Sequence, residues 1–339
     1  MAEPIRLAIN GLGRIGRVFL RIAWDNPHFE IIAANSRSDL ATYAHLLKYD
    51  STYGVWDKEI RADGDKLIID GKVIPFHQEV EGEDLPWGKL GAEMVLDATG
   101  KFKNRAEAEA HIKAGAKYVV VTAPGHDLEA TLVYGVNEKN FNPKNHQIIS
   151  GASCTSICSA LVVKVLEENF GIERGFINTV HAFTSDQSLQ DSSHKDLRRA
   201  RAATQSIIPT STGVTKTIDK FFPTLKSKIS GISLRVPVID PSILAISAQL
   251  KTQATAEAVN QVFTKAAKSN LKGQLAVSDL PLVSRDYQGS PYGATIDALS
   301  TEVVDGSFVN VLAGYDNEWG YVSQLTKLLE YLAKEIKKS

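Results

Sequence analysis

Cysteine is nearly absent from the chain: two thiols, Cys154 and Cys158, in 339 residues. Two thiols build no disulfide framework, and their scarcity points to a reducing compartment. An excess of either charge is also absent, since 38 basic side chains meet 39 acidic ones and leave a net charge of −1. That balance excludes the basic surplus by which nucleic-acid and membrane-surface binders attract their partners, so neither partner is expected. No run reaches the ~18 apolar residues that a membrane helix needs, and the opening MAEPIRLAINGLGRIGR has no apolar signal core. A soluble, cytoplasmic protein is expected. What is present is an ordinary globular mixture, 43% hydrophobic and 23% charged. Its length suits roughly two domains at about 150 residues each, large enough to bury a core without disulfides or a metal ion. Neither is expected.

The first half alternates short apolar runs with helical patterns. IRLAI (5–9), FEIIAA (29–34), MVLDAT (94–99) and YVVVTA (118–123) predict strands, while 14–25 and 105–116 predict helices. Alternation at these lengths implies a parallel, doubly wound sheet whose strands are apolar on both faces. Residues 58–82 predict a small hairpin excursion turning at Gly71. Beyond residue 153 the pattern changes to a helix (156–169) followed by longer strands near 176–183, 232–238, 243–251 and 309–316, which imply a mixed or antiparallel sheet. Residues 184–215 lack apolar periodicity and predict a long irregular loop, a feature that usually carries function. The last segment, ending in lysines, predicts an amphipathic helix.

Gly11, Gly13 and Gly16 spell G-x-G-x-x-G between the first predicted strand and the first helix. Glycines there permit a tight turn and close approach of backbone N–H groups to a pyrophosphate at the helix's positive end. Without a ligand the same pattern is only a tight strand-to-helix turn. A carboxylate at the end of the second strand would bind the adenosine ribose and repel a 2′-phosphate. This chain has Asn35 instead, followed by Ser36, Arg37 and Ser38. The repulsion is removed, and hydroxyl and guanidinium donors stand beside it. NADP is therefore expected to be accepted, alongside NAD; Asp39 reads as a helix N-cap.

Cys154 lies in a small polar turn leading into an apolar helix, a position that stabilises a thiolate. Cys158, one turn on, reads as packing. Cys154 needs a base, and His181, 27 residues later at the end of a strand, is the candidate. Phosphate-binding candidates follow: Thr155, Thr184, the run with Arg198, Arg199 and Arg201, then Thr212 with Gly213, and Arg235. The arginine run also fits a solvated basic face. Arg235, between strand residues, is the more informative, because an arginine embedded in a sheet wants an anion.

Taken in order, NGLGRIGR, AHLLKYDSTYG, LDATG, SGASCTSIC, HAFTSDQ, SHKDLRRARAA, LRVPV and YDNEWGY resemble the glyceraldehyde-3-phosphate dehydrogenase family along nearly the whole chain. The resemblance implies a Rossmann-type cofactor domain (1–153), a catalytic α+β domain (154–318) and a C-terminal helix (319–339) packed back on the first. It implies that Cys154 attacks the aldehyde of glyceraldehyde 3-phosphate, that His181 activates the thiol, and that inorganic phosphate cleaves the resulting thioester. Thr184, Asp186 and Arg235 would shape the site for the substrate's phosphate. Ser153, Thr155, Arg199, Thr212 and Gly213 would shape the site for the attacking one. Arg14, Ile15 and Thr122 would line the cofactor groove, and Asn317 would bind the nicotinamide carboxamide. The 184–215 loop would reach a neighbouring subunit's cofactor, which implies a homotetramer.

Departures from the family pattern fall at Ile157, where an amide is usual, at Val80, where an arginine is common, and across 238–248. Those at Asn35 and at Ser192–Ser193 resemble the NADP-using photosynthetic members. An erythrose-4-phosphate branch that hydrolyses its thioester, and a catalytically weak binding homologue, are the alternatives.

Overall fold

The computed structural model describes residues 3–338; Met1, Ala2 and Ser339, which the domain bounds above include, lie outside the described residues. The chain divides into two compact units. The first takes the residues up to Val133, 138–153 and Leu325 onward. Its sheet has nine strands, in the order Ala130–Thr131, Ile148–Ser150, Tyr118–Val121, Met94–Asp97, Ile5–Asn10, Phe29–Asn35, Lys72–His77, Lys66–Ile69, Ile60–Asp63. The first seven run parallel, and their apolar side chains are buried on both faces, as in Ile5, Leu7, Ala8 and Ile9. The chain winds outward in both directions from Ile5–Asn10, so the crevice at the carboxyl ends of the central strands is the expected ligand site. Three polar residues close those strands: Asn10 stands in register with Asn35 on one side and Asp97 on the other.

The excursion predicted for 58–82 is part of this sheet. Lys66–Ile69 and Lys72–His77 form the expected hairpin, with Asp70 and Gly71 both at positive φ (47° and 79°). A third strand, Ile60–Asp63, extends it, and Lys72–His77 pairs in parallel with Phe29–Asn35. The β-branched residues of KVIPF thus cover a sheet edge.

The second unit comprises Tyr134–Asn137 and Cys154–Gln324. Its seven-stranded mixed sheet runs Ile208–Thr210, Ile229–Val236, Ile172–Ala182, Ser242–Leu250, Phe308–Tyr315, Ala294–Val304, Leu275–Ser278. Ser242–Leu250 alternates buried and half-buried residues along its whole length, the pattern of a strand with one covered face. Helices Cys154–Phe170 and Ala256–Lys268 pack on the sheet. The long loop predicted for 184–215 is shorter than expected. Its end forms the strand Ile208–Thr210 and the start of the helix Val214–Phe221, too brief for their periodicity to show. No helix among the described residues is long and apolar enough to cross a membrane.

Candidate active site

The glycine turn of the first unit is built as its sequence requires. Gly11 has φ 101°, and a Cβ there would lie 2.8 Å from the Thr99 nitrogen. Gly16 packs so closely that a Cβ would sit 1.9 Å from the Gly11 carbonyl oxygen. Gly13 differs: a Cβ would meet nothing within 4 Å, and no side chain caps the helix Arg14–Ala23 that it opens. Exposed backbone at a ten-residue helix's N-terminus is the cradle a dinucleotide pyrophosphate would occupy, so the residues present fit that group. The Arg14 side chain turns away to Asp50 (2.5 Å) and the Tyr53 ring, so what Arg14 offers the groove is its backbone. Ile15 is half-buried on the same turn, and Thr122 follows the Tyr118–Val121 strand.

A groove of about 210 Å³ adjoins this turn, lined by Gly13, Asn35, Ser36, Arg37, Thr99 and Phe102 among others. Beneath it runs a buried polar chain whose direction is fixed by chemistry. Trp87 Nε1–H, which can only donate, meets His111 Nδ1 at 3.1 Å. His111 therefore carries its hydrogen on Nε2, which points at Asp97 Oδ2 at 3.2 Å. The same carboxylate oxygen accepts from Asn10 Nδ2 at 2.8 Å, which turns Asn10 Oδ1 toward Asn35. Asn35 Nδ2 donates to that oxygen (2.8 Å) and to the Glu79 carbonyl (3.1 Å), while its Oδ1 accepts from the Glu79 N–H (2.9 Å). Both donors of Asn35 thus point inward. Donors that stand toward a ligand at this end include the hydroxyl of Ser36, whose Oγ accepts from Leu12 N–H, and the exposed Arg37 and Lys101, all three lining the groove. Asp39 caps the helix Leu40–Lys48 through Thr42 N–H (2.8 Å), as its sequence position suggests.

In the second unit, Cys154 is the first residue of a 17-residue helix, and its Sγ lies 3.4 Å from His181 Nε2 at the end of Ile172–Ala182. Parallel pairing places Arg235 directly beside His181. His181 Nδ1 lies 2.7 Å from the Ala182 carbonyl, to which it donates when Nε2 is free to accept, and Arg235 Nη1 donates to the same carbonyl (3.0 Å) from 2.6 Å beside Nδ1. Burial, and the Arg235 charge after it, push the His181 imidazole down to about 3. Burial pushes the Cys154 thiol up, and Arg235 opposes that rise. Arg235 Nε is buried with no hydrogen-bond partner among the described residues. A guanidinium pressed against an imidazole, with a buried donor unused, is a site shaped for an anion.

Tyr315 completes this arrangement. Its hydroxyl joins Thr155 Oγ1 (3.0 Å) to Thr179 Oγ1 (2.9 Å), and its ring meets His181 edge to face at 6.1 Å. Sequence reasoning passed over it because a tyrosine in an apolar strand reads as core. Cys158 is fully buried, and burial drives its thiol well above the usual range, which fits packing. Ile157 is also buried and packs against Gly293, where a Cβ would come within 2.8 Å; the apolar replacement fills core. Val80 lines the groove beside the glycine turn and is exposed.

Of the arginine run, Arg199 bonds Asp186 on the loop and Thr210 Oγ1 (2.9 Å) at the end of the strand Ile208–Thr210. Arg198 reaches the Pro209 carbonyl and Arg201 pairs with Asp191. Thr184 is half-buried, its N–H bonded to Gln187 Oε1 at 3.3 Å. Thr212 and the exposed Gly213 open the helix Val214–Phe221, Thr212 Oγ1 accepting from Val214 N–H. Ser153 is half-buried at the end of the first unit, and Ser192 and Ser193 are exposed on the loop. Asn317 is buried, and its Oδ1 accepts from Ser242 Oγ at 2.7 Å.

Comparison with known proteins places both units. Residues 5–105 match the family model of the glyceraldehyde 3-phosphate dehydrogenase NAD binding domain, and 153–317 that of the C-terminal domain. The chain is 47% identical over 331 residues to a glyceraldehyde-3-phosphate dehydrogenase of Geobacillus stearothermophilus, covering 98% of this chain and 99% of that one. It is 47% identical over 333 residues to glyceraldehyde-3-phosphate dehydrogenase 2 of Bacillus subtilis, with 98% of each covered. It is 46% identical over 338 residues to the chloroplastic enzyme A of Zea mays, covering 98% of this chain and 83% of that one.

Proposed function

The chain belongs to the glyceraldehyde 3-phosphate dehydrogenase family, and from that premise we propose that it converts glyceraldehyde 3-phosphate and inorganic phosphate to 1,3-bisphosphoglycerate with NAD or NADP. The observation that carries this reading is the Cys154–His181 pair, 3.4 Å apart, beside an arginine with a buried unused donor. The substrate's phosphate binds Arg235, with Thr184 and Asp186 at the same end. Its negative charge offsets the guanidinium and lets His181 Nε2 take the thiol proton as Cys154 Sγ bonds the aldehyde carbon. His181 then passes that proton to the thiohemiacetal oxygen and takes it back when the carbon is oxidised. The bound nicotinamide supplies the hydride acceptor. Arg199, Ser153, Thr155, Thr212 and Gly213 hold the second phosphate for attack on the thioester, which restores the thiol.

On the cofactor side, Gly11, Gly13, Gly16 and the backbone of Arg14 and Ile15 hold the pyrophosphate, Thr122 lines the groove, and Asn317 binds the carboxamide. Ser36 and Arg37 supply the donors for a 2′-phosphate, above the amide of Asn35. Ser193 belongs to the loop that serves a neighbouring subunit in a homotetramer.

Steady-state rates with NAD and with NADP, each with and without phosphate or arsenate, test this reading. Turnover with both cofactors that requires the oxyanion is expected. Oxyanion-independent turnover of a longer aldose phosphate would replace the reaction with thioester hydrolysis, and a strong preference for NAD would remove the role given to Ser36 and Arg37.

A further inference from the structure

Two acids are buried together beside Asn317. Asp240 and Asp316 are 2% and 1% exposed, and their carboxyl groups are hydrogen-bonded to each other. Such a bond needs a proton on one of them. Asp316 is held as the acceptor: Gly289 N–H donates to one oxygen (2.7 Å), and Glu318 and Trp319 N–H donate to the other (2.9 and 2.6 Å). Both Asp316 oxygens are thus occupied as acceptors, which leaves the shared hydrogen on Asp240. Burial and the nearby carboxylates of Asp316 and Glu318 push Asp240 up to about 9.

The pair is joined to groups already assigned. Asp240 Oδ1 accepts from the backbone N–H of Asn317 (3.3 Å). Ser242 Oγ accepts from Ala182 N–H (3.0 Å), next to His181, and donates to Asn317 Oδ1 (2.7 Å). That leaves the Asn317 amide hydrogens for a ligand. A negative charge on Asp240 would also oppose the Cys154 thiolate.

We propose that Asp240 acts as a positioning residue in its protonated form, donating to Asp316 so that the 316–318 turn presents the Asn317 amide to the cofactor. The proposal rests on the role given to Asn317 above. When Asp240 loses its proton, two buried carboxylates face each other, with Glu318 close by, and the turn is driven apart. Segment 238–248, whose departure from the family pattern had no evident use, is then the source of an alkaline limit on cofactor binding.

Asp240→Asn separates the possibilities, because its amide donates to Asp316 and cannot ionise. The folded protein holds a proton that the unfolded chain releases above about pH 4. Wild-type stability therefore falls relative to the variant as pH rises toward 9, and the gap in Tm between Asp240→Asn and wild type widens from pH 5 to pH 9. Over pH 7.5 to 9.5 the wild-type KM for NAD(P) rises severalfold, while that of the variant stays nearly flat. Parallel Tm curves overturn the proposal. A widening Tm gap with parallel KM curves keeps the protonated pair and overturns the role of Asn317. A measurement on the wild type alone gives a further check: a protonated-carboxyl stretch in its infrared spectrum persists at pH 8 and disappears by pH 10. Its absence at pH 8 overturns the proposal even if Asp240→Asn does not fold.

Discussion

Asn10 and Asn35 in the first unit and Arg235 in the second are all buried polar residues at strand ends, and they are satisfied differently. From Trp87 to Asn35 each donor meets an acceptor in a chain of bonds between 2.8 and 3.2 Å. At Arg235 a cation is pressed against an imidazole 2.6 Å away, and Nε has no partner among the described residues. The first arrangement is complete without a ligand. The second holds two potential cations together and improves when an anion arrives. Substitutions in the first should therefore appear as lost stability, and those in the second as lost chemistry with stability kept or raised.

The sharpest test of this contrast lies at the Cys154–His181 pair. Cys154→Ser should lower kcat/KM by about 10⁴-fold or more, and His181→Asn by about 10²–10⁴-fold, while Tm and cofactor affinity stay near the wild-type values. In His181→Asn the alkylation rate of Cys154 should also fall. A Tm loss in either variant as large as that of a core substitution would break the comparison.

A smaller effect, about 1–3 kcal/mol of stability, is expected from Asn35→Asp. Simple charge reasoning treats this change as harmless to the fold and useful for NAD selection. The buried chain says otherwise, because it sets a carboxylate against Asn10 Oδ1 and the Glu79 carbonyl, both acceptors. Asp97→Ser should partly rescue it. With the Asp97 carboxylate gone, the Asn10 amide can turn, accept from His111 Nε2, now 3.3 Å away, and donate to the carboxylate introduced at position 35. Denaturant unfolding of the two single variants and the double variant measures the coupling; additive losses would refute the fixed direction of the chain.

These two sites were not equally legible in the sequence. The glycine turn and the strands around it were readable because strand period, turn chemistry and helix start all agree over a few residues. The Cys154–His181 pairing came from residue type and motif, since nothing local connects positions 27 apart. Asn10, Asn35 and Asp97 were visible as polar residues closing apolar strands, but their mutual bonding depends on sheet order, which no single segment encodes. The same holds for His181 beside Arg235, adjacent only through pairing of strands 54 residues apart. The hydrogen bond between Asp240 and Asp316 was invisible for this reason too.

The smallest expected effect is a shift in protonation, and it bears most directly on why Arg235 is left unsatisfied. His181 is held down to about 3 first by burial and then by Arg235. Between pH 6.5 and 3 the unfolded chain takes up a proton that the folded protein refuses, so this histidine makes the protein less stable as pH falls through that window. Arg235→Gln removes the second cause and leaves the first, so the His181 midpoint should rise part of the way toward 6.5. The acid-side decline in Tm should become shallower. Sulfate or phosphate added to the wild type should raise the same midpoint by offsetting the guanidinium, and should do nothing in Arg235→Gln. An NMR titration of the His181 ring, with and without the anion, reads both effects. If the anion shifts the two proteins equally it binds elsewhere, and the strain at Arg235 is then a structural feature with no bearing on substrate.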